Sequence, residues 1–171
     1  MEMRRWSEAA TQTYKQGVPL RLSSGDLVEC DTADPWVAAD VVVGISAEPG
    51  HNLTTAGTKE PAYSEGSPVN QASAKIIPAG AWSRDGNCGF YPADGKNVFL
   101  ISLKSGQTYS EALKVAAGSY YTLKQDGTSK YWYLDSTDLV GNNAVAEIVG
   151  GVSDDTTKVL FRFKAAQRYF D

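Results

Sequence analysis

Few residues of this 171-residue chain could do chemistry, and none falls into a recognised catalytic pattern. The single histidine, His51, lies in a Pro-Gly-His-Asn loop without a nucleophile or carboxylate in motif spacing, which favours a solvated loop residue over a general base. Two acidic clusters could bind calcium or supply a general acid and a general base for glycoside hydrolysis: Asp135-Ser136-Thr137-Asp138 and Ser153-Asp154-Asp155. Both follow strand-like runs, where turn and cap chemistry of Asp, Ser and Thr explains them better. We therefore predict no enzymatic activity and no catalytic residue.

The two cysteines give no sign of a metal site or a redox centre. Cys30 and Cys88 form neither a Cys-x-x-Cys pair nor a cluster with histidine, so we expect ordinary thiols, no metal and no cofactor. The first residues lack the apolar segment of a signal peptide, and no run approaches about 18 apolar residues. The sequence therefore predicts a soluble intracellular product that does not bind membranes.

Charge is balanced over the whole chain but not at its ends. The formal net charge is −4, which argues against a nucleic-acid partner. Both ends combine basic with aromatic residues, a composition enriched at interface hot spots. The candidate contact residues are Arg4, Arg5, Trp6, Arg168, Tyr169 and Phe170. For Tyr169 and Phe170, anchoring to the chain's own core is the alternative.

Aromatic residues also raise the possibility of a carbohydrate-binding module. Trp36, Trp82 and Trp132 could each offer a flat face to a sugar ring. Around Trp132, however, alternation places Tyr131 and Tyr133 on one face of a strand and the tryptophan on the other. One of those faces is expected to be core, so the aromatics do not form a single platform.

Short β-branched and aromatic runs separated by turn signals predict a mostly β domain. Hairpins are predicted at Ser24-Gly25-Asp26 and at Gln125-Asp126-Gly127-Thr128, the second as a tight primed turn with positive φ at Gly127. The run of three valines that ends at Val43 indicates a strand covered on both faces, and Gly44 indicates a bulge or close packing. We expect a single β-barrel or β-sandwich-like domain.

Domain boundaries follow from the same pattern. Residues 1–17 are predicted to be an extended N-terminal arm, and residues 18–171 a single β-rich domain. Proline and glycine content predicts long loops at 48–68 and 83–96, which are the expected places for partner contact. At most one or two short helices are expected, with residues 107–117 as the main candidate.

One phrase occurs twice in the sequence. Each copy reads as glycine, strand, polar spacer, strand and glycine, first from Gly25 to Ser46 and again from Gly118 to Ser153. The two spacers differ in length, so the phrase has no fixed period. Independent occurrence of a common strand and turn pattern explains the repeated phrase about as well as duplication does.

These strand and glycine phrases resemble small β-rich proteins of tailed bacteriophages, most closely the head decoration, or cement, proteins. The resemblance covers most of residues 17–163 and is carried by short phrases such as Ser24-Gly25-Asp26-Leu27-Val28 and Val159-Leu160-Phe161-Arg162-Phe163. It implies a protein without enzymatic activity, made in the host cytoplasm, that binds the outer surface of the assembled capsid and stabilises it. The implied partners are the major capsid protein lattice and further copies of the chain, as a homo-oligomer with a trimer favoured. Another virion component, such as a head fibre base or a tail protein, and a carbohydrate-binding β-module are the alternatives.

Overall fold

A computed structural model describes residues 2–30, 41–50, 87–114, 120–138, 144–165 and 168–170. The chain divides into two compact units, of which the first comprises Met1–Cys30 with Val42–Pro92 and the second Asp31–Val41 with Ala93–Asp171. Each unit holds one five-stranded antiparallel sheet. The expected mostly β fold is confirmed.

The first sheet has the strand order β1-β5-β4-β2-β3. Its strands are β1 (Arg4–Ser7), β2 (Pro19–Ser23), β3 (Asp26–Glu29), β4 (Val42–Ser46) and β5 (Asn87–Pro92). The β2–β3 hairpin is confirmed, and its turn residues Ser24 and Gly25 both have positive φ, at 53° and 94°. This is the backbone of a primed two-residue turn, which matches the twist of the flanking strands.

Two sequence predictions about the N-terminal residues and the second loop need correction. Arg4–Ser7 is not part of a separate arm, because it pairs along its whole length with β5. The loop predicted over 83–96 contains that strand, whose Cys88 and Phe90 are fully buried. Glycine and proline in this segment led to the loop prediction. Glycine suits residue 89 of the strand because a Cβ there would lie 3.0 Å from side-chain atoms of both Glu48 and Met3. The Glu48 end of the loop predicted over 48–68 is buried, and residues 51–68 lie outside the described part of the chain.

The predictions for the valine run and its glycine are confirmed. Val42 and Val43 are both fully buried. The register between β2 and β4 shifts at Val43, which is a bulge, and Gly44 packs closely against β5. The glycine is therefore required by the approach of a neighbouring backbone.

The second sheet has the strand order β6-β10-β9-β7-β8. Its strands are β6 (Phe99–Ser102), β7 (Tyr121–Gln125), β8 (Trp132–Asp135), β9 (Ala144–Val152) and β10 (Asp155–Phe163). The β7–β8 hairpin is confirmed, but its turn is longer than predicted. The N–H of Asp126 bonds to the carbonyl of Tyr131 at 2.9 Å, and the positive φ falls on Lys130 rather than Gly127. Hydrogen bonds from residues 128 and 129 to the Asp126 carboxylate favour this wider turn.

The longest helical element in the described residues is a 3-10 turn at Glu111–Leu113. The helix predicted over 107–117 is therefore not found for residues 107–114, and residues 115–119 lie outside the described part. Tyr109 instead donates its N–H to the carbonyl of Thr156 at 2.7 Å, and its ring lies over Gly151. This contact with β9 and β10 draws the segment into irregular backbone.

Neither sheet closes into a barrel, so the barrel alternative is wrong. In both units the strands, numbered along the chain, follow the same order of first, fifth, fourth, second, third. The doubled phrase does not match this repeat. Its first copy runs from β3 to β4, the third and fourth strands of their unit, and its second copy from β7 to β9, the second and fourth.

Candidate functional site

The N-terminal candidate residues lie on the edge strand β1 of the first sheet. Arg4 and Trp6 are exposed and Arg5 is partly buried. The indole N–H of Trp6 donates to the carbonyl of Gly25 at 2.8 Å, and Ser7 donates to the carboxylate of Asp26. The β2–β3 turn therefore fixes the indole in place while 37% of the Trp6 surface remains open to solvent.

Arg5 serves the unit's own structure. Its guanidinium donates to the carbonyl of Asn87 at 2.9 Å and lies 3.5 Å from the carboxylate of Glu48. The same carboxylate accepts the backbone N–H of Gly89. These contacts tie β1, β5 and the residues just after β4 together. Arg4, by contrast, is exposed and is the member of the basic pair that faces solvent.

The C-terminal candidate residues belong to the second unit. The Nε of Arg168 donates to the carbonyl of Phe163 at 2.6 Å, at the end of β10. Tyr169 exposes 46% of its surface, and its ring packs edge to face on Phe170 with centroids 5.0 Å apart. Arg168 thus anchors the tail, and Tyr169 is presented at the surface, whereas Phe170 is partly buried.

Buried polar groups in the first unit escaped sequence analysis. Glu8 and Glu48 are both buried, and Tyr14 and Cys88 lie in contact near them. Burial raises the pKa of the Tyr14 hydroxyl and of the Cys88 thiol, and each interacts with the other and with the Glu8 carboxylate. Both groups stay protonated at neutral pH, so this cluster offers no thiolate nucleophile. Alternation places Glu8 on the same side of the chain as the exposed Arg4 and Trp6, so no pattern in the sequence indicated its burial.

Asp135 is the centre of a hydrogen-bond network in the second unit. One carboxylate oxygen accepts the side-chain amide of Gln107 at 2.8 Å and the hydroxyl of Thr137 at 2.7 Å. The other oxygen lies 3.0 Å from the ammonium of Lys104. Burial alone would raise the pKa of Asp135, but these hydrogen bonds outweigh it and hold the pKa well below its usual range.

The network has a structural role. Gln107 uses its own carbonyl oxygen to accept the N–H and hydroxyl of Ser136, at 2.9 and 3.0 Å. Lys124 lies 2.8 Å from the carboxylate of Asp138. The turn chemistry predicted for residues 135–138 is confirmed, because Asp135 accepts the backbone N–H of Thr137 at 3.2 Å. The second acidic cluster behaves in the same way, with Asp155 accepting the N–H of Thr157 at 3.0 Å.

The aromatic residues at the start of β8 and just before it follow the predicted alternation. Trp132 is buried, Tyr133 is partly buried and Tyr131 exposes 62% of its surface. The other proposed sugar-stacking residues, Trp36 and Trp82, lie outside the described residues, as does His51. Any stacking on this strand would therefore involve Tyr131.

The two sides of this strand predict different mutational effects. We expect Trp132→Phe to lower the free energy of unfolding by about 1 to 2 kcal/mol, because it removes part of a buried ring system. Tyr131→Ala, on the exposed side, is expected to change it by less than about 0.5 kcal/mol. Urea denaturation followed by circular dichroism measures both, and equal losses would contradict the assigned burial.

The described residues contain no group of three histidine, cysteine, aspartate or glutamate side chains placed to hold a metal ion. Cys30 and Cys88 are buried thiols. Within the described ranges, no helix has the length and apolar character needed to cross a membrane. Searches against protein-family models, curated proteins and solved structures found no match for the chain.

Proposed function

We propose that this chain is a non-enzymatic structural protein of a phage virion, a decoration or cement protein that binds the outer surface of the assembled head. The observation that carries the proposal is the presentation of the terminal contact residues. Arg4 and Trp6 stand on a hydrogen-bonded strand, and Tyr169 and Phe170 follow an arginine anchored to β10. Strand pairing therefore holds the backbone of the first group, and the Arg168 hydrogen bond holds the chain just before the second.

Ordered contact residues suit a protein that binds a lattice. A pre-organised aromatic or arginine side chain loses little conformational entropy on binding. Many copies that each bridge neighbouring capsid subunits would act multivalently, so a modest affinity per contact can still stabilise a shell. The proposed partners are the major capsid protein lattice and further copies of this chain, with a trimer as the favoured oligomer.

The test is an add-back experiment on purified capsids that lack this protein. We expect the wild-type chain to sediment with the capsids at a fixed stoichiometry and to raise the temperature at which the shells open. The variant with Tyr169→Ser and Phe170→Ser is expected to bind at least about tenfold more weakly, because aromatic residues at interface centres contribute most of the binding energy.

Tyr131→Ser is the matched control, since it removes an exposed aromatic residue that the proposal does not use. Its binding is expected to equal that of the wild type. Failure of the wild-type chain to associate with capsids would overturn the proposed function. Association with tails alone would favour another virion component.

A carbohydrate-binding module is the second candidate, and the exposure of Tyr131 is the observation that favours it. Aromatic rings at a protein surface can stack on sugar rings, and here this ring stands beside the β7–β8 turn. In a glycan titration, this candidate predicts saturable binding by the wild type and no binding by Tyr131→Ser.

A further inference from the structure

The two units agree in pairing register as well as in strand order. In the first unit, Arg4 of the first strand lies opposite Phe90 of the fifth. In the second, Phe99 of the first strand lies opposite Phe161 of the fifth. Phe90 and Phe161 of the two fifth strands are fully buried. Each also pairs with the fourth strand of its unit, Phe90 with Ser46 and Phe161 with Ile148. These pairs anchor a residue-by-residue comparison of the units.

An irregularity recurs at the same place in both sheets. The ladder between the second and fourth strands shifts by one residue in each unit, and the residue left out is Val43 in the first and Val145 in the second. Both valines are fully buried. A bulge re-aims the strand locally, so its recurrence at an equivalent, equally buried valine is a specific similarity.

A third shared feature joins the two edges of each sheet. A single parallel bridge links Glu8 to Leu27 of β3, and an equivalent bridge links Leu103 to Leu134 of β8. In each case the next residue donates its N–H to the leucine carbonyl, at 3.0 Å in the first unit and 2.9 Å in the second. Strand order, register, bulge and bridge therefore coincide, although few equivalent positions hold the same residue.

The units differ in one row of side chains. Directly paired residues of antiparallel strands point to the same face of the sheet. The register therefore shows which side chains of the first strand form a row on the same face as the buried residues of the fifth strand. In the second unit this row begins with Phe99 and Ile101, and Phe99 is 7% exposed, with its ring centroid 5.8 Å from that of Phe161. In the first unit the equivalent positions hold Arg4 and Trp6, which are exposed.

We propose that the chain is a tandem repeat of one five-stranded motif, in which the row formed by Arg4 and Trp6 has become a docking surface for a segment of the capsid protein that bears a carboxylate and an apolar side chain. The inference rests on the proposed function and names the part of the chain that makes the contact. In the second unit the equivalent Phe99 is buried and the equivalent Ile101 is partly buried, so the exposed arginine and tryptophan of the first unit depart from the motif.

The chemistry of the row determines the partner it fits. Arginine binds carboxylates through a planar pair of N–H donors, and tryptophan supplies a large apolar face at low entropic cost. The indole is already held by the carbonyl of Gly25. A partner segment with an acidic residue opposite Arg4 and an aliphatic residue opposite Trp6 would complement the charge of the first and the apolar face of the second.

The test compares substitutions in this row with one on the equivalent strand of the second unit. Arg4→Glu and Trp6→Ala are each expected to weaken binding to stripped capsids at least tenfold, as measured by co-sedimentation across a concentration series. Leu100→Ser is the matched control, because it changes an exposed residue of β6 outside the row, and it should bind like the wild type. Raising the salt concentration should weaken the wild type more than Arg4→Gln, because the exposed charge is screened.

The outcomes separate the two proposals. Wild-type binding that Arg4→Glu, Arg4→Gln and Trp6→Ala all leave unchanged would overturn the docking surface and leave the cement function standing. Absence of wild-type binding would overturn both. Arg4→Gln changes only an exposed side chain and preserves the backbone pairing of β1, so a loss of binding on its part cannot be attributed to misfolding when its circular dichroism spectrum matches the wild type.

Discussion

Replacing Gly44 by alanine is expected to lower the free energy of unfolding by about 3 kcal/mol, the upper end of the usual range for overpacked interiors. A Cβ at this position would lie 2.2 Å from the carbonyl oxygen of Tyr91 and 2.8 Å from a ring carbon of Phe90. The carbonyl belongs to the backbone of β5, the direct neighbour of β4. Relief therefore requires the two strands to separate inside the sheet.

The matched control is Gly150→Ala, in strand β9. No atom lies within 4 Å of a Cβ built on Gly150, and alanine loses less backbone entropy on folding than glycine. We expect this variant to be as stable as the wild type or slightly more so. Urea midpoints of the two variants provide the measurement, and a Gly44→Ala midpoint equal to that of the wild type would show that β4 and β5 are not in close contact.

Asp135→Asn is expected to have a similarly large effect, about 3 kcal/mol, the lower end of the range for breaking a buried charged network. Asparagine keeps one acceptor oxygen, and its NH2 group replaces either the oxygen that accepts from Gln107 and Thr137 or the oxygen that accepts from Lys104. The low end applies because the Lys104 ammonium is about half exposed and regains water. The loops at 104–107 and 135–138 should lose their mutual order first.

Asp135 also predicts a pH dependence with a definite sign. Its pKa is lower in the folded protein than in the unfolded chain, so the fold favours the ionised carboxylate. The resulting stabilisation is present above the unfolded pKa of about 4 and is lost as the pH falls from there toward the folded pKa. Wild-type stability should therefore decline below about pH 4, and the decline should be smaller in Asp135→Asn.

Asp126→Asn is the control for this experiment. Asp126 also accepts hydrogen bonds within a turn, from Thr128 and Ser129, but it is exposed. Its replacement is expected to change the urea midpoint at pH 7 far less than Asp135→Asn. If the two variants lose equal stability, burial of the Asp135 network is not the cause of its effect.

Local patterns predicted several elements well. Alternation and turn chemistry located the β2–β3 hairpin, the β7–β8 hairpin and the opposite orientations of Tyr131 and Trp132, because each depends on residues close together in the chain. The same local rules failed for β5. Gly89 and Pro92 are typical of loops, and only contacts with β1 and β4 make their segment a strand.

Among the candidate functional residues, too, some properties follow from the local sequence and others only from contacts between distant segments. Sequence identified Arg4 and Arg5 as an equivalent basic pair, but the structure separates them, since Arg5 contacts Glu48 and Arg4 faces solvent. The burial of Glu8 and Glu48 could not be predicted from polar surroundings, because it depends on a strand pairing across more than 80 residues.

Strand period, β-branched content and turn residues are local properties, and they were enough to predict a chain of β-strands joined by hairpin turns. The shared strand order of the two units depends on pairing between distant segments and is visible only in the folded chain. Equivalence between the units lies in register, a bulge at Val43 and Val145, and bridges between sheet edges. Backbone hydrogen bonds set these features with little regard to side-chain identity, so they persist where the sequences of the two units have little in common.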